Sequence, residues 1–319
     1  MIKTPFMLRP FFLLTGLVLA LNQNWLLPFS EHLQILVFLG GILIVGLPHG
    51  AADLLVSKKE SLDEIKTFSY NKFFFNYLIR IVLFFSLIAL FPLIGIFVFV
   101  LIAAYHFGET DLYHFNTNTV SGAFFLVSYG LIIINITLLA HFEEVKPLLF
   151  IFDSVRKQAS FISLIDHYRF LILSLSVLLF FGSAFIYFLV NGAGGQFRGQ
   201  FLINFCLLAF ILYNLPMLLG FTFYFVLWHS VLSLKNIVTY LRKDNQFSLA
   251  SIVKQIGVYS SIASTGIIFV GFCGLKLVSH NALIISIFMG LAVLTAPHMQ
   301  IMHLMYNRIR MKSDQKISV

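Results

Sequence analysis

Hydrophobic positions along the chain gather in runs of roughly 15–24 residues, each closed by a short polar, proline or glycine break. Within the runs there is none of the apolar/polar alternation that marks the strands of an outer-membrane barrel. Helices remain, because a segment solvated by lipid must satisfy its backbone hydrogen bonds within itself. Ten runs qualify as spans, near 9–28, 33–50, 73–91, 92–108, 119–140, 170–190, 200–215, 217–235, 256–275 and 282–305. The expected fold is all-α, a polytopic integral membrane helical bundle of about eight to ten transmembrane helices, with residues 1–319 forming one domain. The first run, Phe11 to Leu21, follows Lys3 and Arg9 in the manner of a signal peptide. No small-residue cleavage site follows it and further spans come at once, so it is expected to be retained.

Composition sharpens this. Hydrophobic residues make up 59% of the 319 and charged residues 11%, with a mean hydropathy of +0.93, against about 45–50% apolar and about 25% charged in soluble domains. A soluble enzyme is excluded. The net charge of +8 would suggest nucleic acid in a soluble chain, but here the basic residues sit in short loops between spans, where they orient helices, and no nucleic-acid partner is expected. Lys3 and Arg9, then Lys58, Lys59, Lys66 and Lys72, then Lys235, Arg242, Lys243 and Lys254, then Arg308, Arg310, Lys312 and Lys316 all fall on one side of a ten-span topology. The opposite segments around 29–32 and 216 carry no Lys or Arg, and 276–281 carries Lys276 alone. Both termini are therefore expected to be cytoplasmic, with the chain in the inner (cytoplasmic) membrane. The exception is 141–169, with Lys146, Arg156, Lys157 and Arg169, whose mixture of apolar and charged residues reads as an amphipathic helix along the interface. Cys206 and Cys273 both fall in apolar stretches and read as ordinary helix residues.

Ionisable residues inside membrane helices are costly and usually line a functional interior, so the ten histidines carry the next step. His32, His114, His167 and His280 fall in loops or at their edges, and His141 ends the fifth span beside Glu143 and Glu144 as an interfacial anchor. His49 in GLPHGAAD, His106 in AAYHFGETD, His229 in LWHSVLSL and His298 in TAPHMQIMHLMY instead all lie at or near the cytoplasmic ends of even-numbered spans. Four imidazoles at one depth are what a metal site between helices requires. Asp53 follows His49 by four residues and Glu109 follows His106 by three, so each carboxylate is placed to hold the outer ring N–H of its histidine, with Asp111 a further candidate. His303 is five residues beyond His298, a rotation of about 500° that leaves the two about 140° apart. His298 is preferred and His303 kept in reserve, because Pro48 and Pro297 directly precede His49 and His298, where proline disturbs a helix and opens it toward a cavity.

Several chemistries are absent from the pattern. There is no HxxHH, HxxxH or HExxH cluster, no Walker loop, no dinucleotide fingerprint after a strand and no CxxCH haem site. The Gly-rich NGAGGQFRG at 191–199 lacks the strand-and-helix context of a phosphate loop.

GLPHGAAD at 46–53, YHFGETD at 105–111, FYFVLWHS at 223–230 and TAPHMQIMHLMY at 295–306 together resemble the Brp/Blh family of β-carotene 15,15′-dioxygenases, in the family's order and over most of the chain. The resemblance implies an integral membrane, non-haem iron enzyme that uses Fe(II) and O₂ to cleave the central double bond of β-carotene into two molecules of retinal, in functional association with a microbial rhodopsin. It also implies that His49, His106 and His229 bind iron. Some members carry a second histidine four residues after the WHS histidine; Ser233 stands there in this chain, so a fourth ligand must come from His298, with His303 in reserve, or the site has three. Neutral nitrogen ligands would leave Fe(II) its full charge and open positions for O₂, and zinc on the same ligands could not supply an electron.

The implied substrate is a rigid hydrocarbon whose reservoir is the lipid bilayer. An aromatic tunnel that sets the cleavage position is expected to involve Phe221, Phe223, Tyr224, Phe225 and Trp228 before His229, and Tyr105 and Phe107 around His106. Two other classes compete. A histidine-using, proton-coupled transporter would spread its histidines through the membrane depth and repeat its broken helices, and neither pattern is present. A non-catalytic retinal or carotenoid binder of rhodopsin type would need a buried lysine, for which the late spans offer only Lys276 at a helix end.

Overall fold

The computed structural model describes residues 8–156, 159–192, 195–243, 246–275 and 280–317. Of the positions singled out above, Lys3, Lys157, Lys276, Ala193 and Gly194 lie outside these residues, as do the side chains of Arg156, Cys273, His280, Lys312 and Lys316. In chain order the helices are α1 (Leu8–Leu21), α2 (Glu31–Gly41), α3 (Leu47–Ala51), α4 (Asp53–Asp63), α5 (Tyr70–Leu90), α6 (Pro92–Asp111), α7 (Val120–Leu139), α8 (Phe142–Arg156), α9 (Ala159–Asn191), α10 (Gly195–Asn214), α11 (Met217–Thr222), α12 (Val231–Arg242), α13 (Leu249–Leu275) and α14 (His280–Ile317). Three wider π-helical segments, Asn22–Leu26, Ile42–Gly46 and Phe223–Ser230, follow α1, α2 and α11. No strand occurs among the described residues.

All ten apolar runs are helical. Among the described residues seven helices are long and apolar enough to cross a membrane: Glu31–Asp63, Tyr70–Leu90, Pro92–Asp111, Val120–Leu139, Phe161–Asn191, Met217–Arg242 and Ser286–Arg310. The chain is thus a polytopic, all-α membrane protein. Helix starts follow local chemistry. The side chains of Ser30, Ser69 and Thr119 accept from the backbone N–H groups of Leu33, Lys72 and Gly122, capping α2, α5 and α7. Pro92, which has no N–H to lose, opens α6. The most apolar stretch of Tyr70–Leu90 is 11% buried, against 72% for Met217–Arg242; the former offers Phe74, Phe75, Leu78, Val82 and Phe85 to lipid, and the latter is interior.

The helices group into two compact units, one of 1–45 with 117–232 and one of 46–116 with 233–319. In the first, α7 runs along α9. Ser128 and Ser183 share a 2.5 Å hydrogen bond, and Asn135 and Asn191 donate to Ser176 and Ser121, the polar glue of helices that gain little from hydrophobicity within lipid. Phe125, Tyr129, Phe180, Tyr187, Phe188, Phe201 and Phe205 pack beside them as an aromatic core. A Cβ on Gly16 would fall 2.6 Å from the ring of Phe223 and 2.8 Å from Ile211, so a glycine is what lets α1 approach α10 and the segment Phe223–Ser230. The charged stretch 141–169 forms α8 and the first turns of α9. Lys146 reaches Asp166 at 2.7 Å and Arg169 reaches Glu143 at 2.7 Å, so these two basic residues are ion-paired between the two helices.

In the second unit, α14 packs on α4, α5 and α6. Ala52, Leu55, Val56, Ile237, Leu241, Ile252, Ile301, Met302 and Tyr306 form its core. A Cβ on Gly95 would sit 2.7 Å from the Cα of Ile88, the close approach that closes the α5–α6 pair. The polar end is cross-linked: Lys59, fully buried, donates to Asp63, to the carbonyl of Lys243 and to Gln246, and Arg308 pairs with Glu60 and Glu64.

Candidate metal centre

His49, His106 and His298 come together inside the second unit. One ring nitrogen from each lies within 4.8 Å of the others, and the residues are 3%, 2% and 7% exposed. The His298 ring stands nearly perpendicular to both partners, at 83°, with centroids 4.5 Å from His49 and 4.9 Å from His106. The His49 and His106 rings face each other at 6.2 Å and 19°.

Local backbone breaks aim these side chains. His49 sits on α3, a helix of five residues between the π-helical segment Ile42–Gly46 and a kink at Ala52, with Pro48 in its first turn. π-helical turns often occur at functional sites because they re-aim side chains that a regular helix would misdirect. His106 lies in the penultimate turn of α6, where Gly108, Glu109, Thr110 and Asp111 are all buried. His298 follows Pro297 within α14.

The hydrogen bonds assign one tautomer. Asp53 Oδ1 lies 2.6 Å from His298 Nδ1, and a carboxylate accepts, so the proton is on Nδ1 and the Nε2 lone pair is available. That Nε2 lies 2.8 Å from His49 Nε2. Two ring nitrogens are therefore presented to one point, with the third imidazole alongside, in a setting walled by helix. Burying such groups without purpose costs about 1–3 kcal/mol each. Soft-to-borderline nitrogen donors in a cluster are what a first-row transition metal binds, so the three histidines could hold such an ion.

Asp53 thus serves His298, which is 245 positions away in the chain, and not His49 as the four-residue spacing suggests. The helix is interrupted by one turn residue, Ala52 with ψ −14°, between α3 and α4, and α14 and α5 bring His298 and Tyr77 to the two oxygens of the carboxylate. Glu109 is likewise turned away from His106. Its Oε1 lies 2.9 Å from His303 Nδ1 and accepts from Arg310 at 2.9 Å. Asp111 is buried at the end of α6.

His303 belongs to this neighbouring network. Its Nδ1 also lies 2.8 Å from the Tyr105 hydroxyl, and the Asn307 amide donates to its Nε2 at 2.8 Å, so both ring nitrogens are engaged. His229 lies in the other unit, fully buried near the end of the π-helical segment Phe223–Ser230, with the rings of Tyr224 and Phe225 at 6.3 and 6.0 Å. Ser233, the position of the second histidine in some relatives, is buried 3.4 Å from the Tyr306 hydroxyl.

The tunnel candidates divide. Phe107 lies 6.3 Å from the His106 ring, and Tyr105 is bonded to His303. In the other unit Phe221 and Phe225 stack at 5.3 Å and are half-buried, whereas Phe223, Tyr224 and Trp228 are closed off, with the Arg9 guanidinium over the Trp228 ring at 5.7 Å. Sequence reasoning missed one contributor to the centre. The hydroxyl of Tyr77 on α5 donates to Asp53 Oδ2 at 3.0 Å, and the sole trace of it is a tyrosine in the otherwise Phe-rich start of that helix.

No curated protein and no solved structure matches the chain. A family model described as beta-carotene 15,15′-dioxygenase matches residues 40–306, a stretch that includes all three clustered histidines, Asp53 and His229. A buried imidazole cluster within a membrane-embedded helical chain suits enzymes that bring oxygen chemistry to a lipid-soluble polyene, and with the match extending over well over half its length the chain belongs to the β-carotene 15,15′-dioxygenase family.

Proposed function

We propose that this chain is a membrane-bound non-haem iron dioxygenase that cleaves the central 15,15′ double bond of β-carotene with O₂ to give two molecules of all-trans-retinal. The observation that carries the reading is the convergence of three buried imidazoles in a chain of this family. The donor set fits a transition metal: His49 and His298 through Nε2, with His106 beside them, and no thiolate among the three. Iron is the metal proposed, because when bound it would supply the electron transfer to O₂ that zinc cannot. His303, with both nitrogens engaged, is left out of the ligand set. His229 is carried as a fourth ligand on the resemblance alone.

The chain's own groups then have defined tasks. Asp53 holds the proton on His298 Nδ1 and so keeps Nε2 free to bind. Burial of the three rings excludes bulk water from the reacting region. Phe107, half-buried beside His106, is proposed to help hold the polyene so that its central bond, and no other, is presented; Phe221 and Phe225 are carried as tunnel candidates on their place before the FYFVLWHS histidine alone. The apolar outer surface keeps the enzyme in the phase where carotenoid dissolves. We read the chain as one domain in the inner membrane with both termini cytoplasmic, on the distribution of Lys and Arg, and its retinal as the chromophore of a microbial rhodopsin.

The test is direct. Protein purified in detergent and loaded anaerobically with Fe(II) is given β-carotene and O₂, and the products are separated by chromatography. Two retinals per carotene are expected; no cleavage, or apocarotenals from other bonds alone, would overturn the reaction.

A further inference from the structure

We infer that Tyr77 is a positioning residue of the metal centre, acting through Asp53 on His298; the inference rests on the metal-binding reading above. Both oxygens of the Asp53 carboxylate are held. His298 Nδ1 donates to Oδ1 at 2.6 Å, and the Tyr77 hydroxyl donates to Oδ2 at 3.0 Å. The direction is fixed by inventory: a phenol has one proton to give, and a carboxylate can only accept. A chain of contacts therefore runs from α5 through the first residue of α4 to the ring on α14 whose Nε2 faces His49.

A carboxyl group rotates easily about its terminal torsion, which is broad and nearly two-fold. One donor on one oxygen leaves that rotation open; a donor on each oxygen closes it. With the carboxylate plane fixed, the imidazole that donates to it is fixed in turn, and so is the direction of its other nitrogen. The Tyr77 hydroxyl can do this because its ring is packed on the core that contains Ala52, Leu55 and Val56; Phe73, 5.6 Å away, adds to the packing of α5 without fixing the hydroxyl. Around it on α5, Phe74, Phe75 and Leu78 face lipid. The hydroxyl is the one feature of Tyr77 that lipid-facing or core packing does not need, since phenylalanine would pack as well. Leaving it buried and unbonded would cost about 1–3 kcal/mol.

The experiment uses full-length protein in detergent, freed of metal, with Co(II) as the probe and a competing chelator to set the scale. Tyr77→Phe is expected to weaken Co(II) binding ~3- to 10-fold. Asp53→Asn, one step nearer the metal, is expected to weaken it by roughly 10- to 100-fold. In the Asp53→Asn background, adding Tyr77→Phe is expected to change affinity less than about twofold, because the path it acts through is already cut. Phe73→Leu removes packing against the same ring and leaves the hydroxyl in place. It is expected to lower the melting temperature with Co(II) affinity kept, which separates positioning from stability. Wild-type affinity in Tyr77→Phe, an undiminished effect in the Asp53→Asn background, or an equal loss of affinity in Phe73→Leu would each overturn the role of Tyr77. Absence of Co(II) uptake by the wild-type chain would overturn the metal centre itself, a result distinct from the other three.

Discussion

Asp53 shows how far single residues can be read from spacing. A carboxylate four residues past a histidine predicts a partner for that histidine; the structure gives it to a histidine 245 positions away, brought to it by α14. The residue types that make the centre were legible: His49, His106 and His298 stand out as ionisable groups at apolar helix ends. Their pairing was not, since it depends on which helices touch, and no local pattern encodes that. Replacing any one of the three by alanine is expected to abolish metal retention, measured as metal per protein after gel filtration. Metal kept in all three variants would remove them from the ligand set. His229→Ala, measured in the same way, decides whether a fourth imidazole is needed. His303→Ala is expected to keep its metal, since that ring is committed to Glu109, Tyr105 and Asn307.

At the scale of elements, the ten helical runs could be read in advance because lipid enforces long uninterrupted apolar stretches. The π-helical segments could not: one extra residue per turn leaves no mark on hydropathy, yet two of the three adjoin or contain candidate ligands, His49 and His229. The contact of α5 with α6 depends on Gly95. Gly95→Ala is expected to destabilise the protein by about 1–3 kcal/mol, read as a lower melting temperature in detergent, because the new methyl meets Ile88 backbone that cannot yield cheaply. The tie between α8 and α9 has a pH dependence. The hydrogen bond that Lys146 donates to the Asp166 carboxylate raises the lysine's pKa above its ordinary 10.5. A lysine whose pKa is raised on folding contributes while protonated, so the tie is complete at neutral pH and is lost as pH rises through the folded value. Hydrogen exchange in α8 is expected to speed up, beyond its intrinsic rise with pH, only above about pH 10.5, and Asp166→Asn is expected to remove that step. An unchanged pH response in that variant would show that the ion pair does not hold α8.

For the whole molecule, an apolar exterior would have a kinetic meaning under the proposed function: substrate and enzyme would meet in two dimensions. In liposomes the rate of retinal formation is expected to follow the mole fraction of carotenoid in the bilayer at constant total carotenoid, and a rate that follows bulk concentration would point to entry from water. Metal is expected to stabilise the folded chain by mass action, by about 2.7 kcal/mol at a hundred times its dissociation constant, so chelation should lower the melting temperature of wild type and leave His298→Ala unmoved. The separation of His49 from His298 by 249 positions has a further consequence. α3 leaves the ribosome well ahead of α14, so the cluster cannot assemble until the whole stretch from His49 to His298 has been made and inserted. A chain made only as far as α13 would have isolated imidazoles and no metal centre, and metal uptake would mark the moment at which α14 has joined the earlier helices.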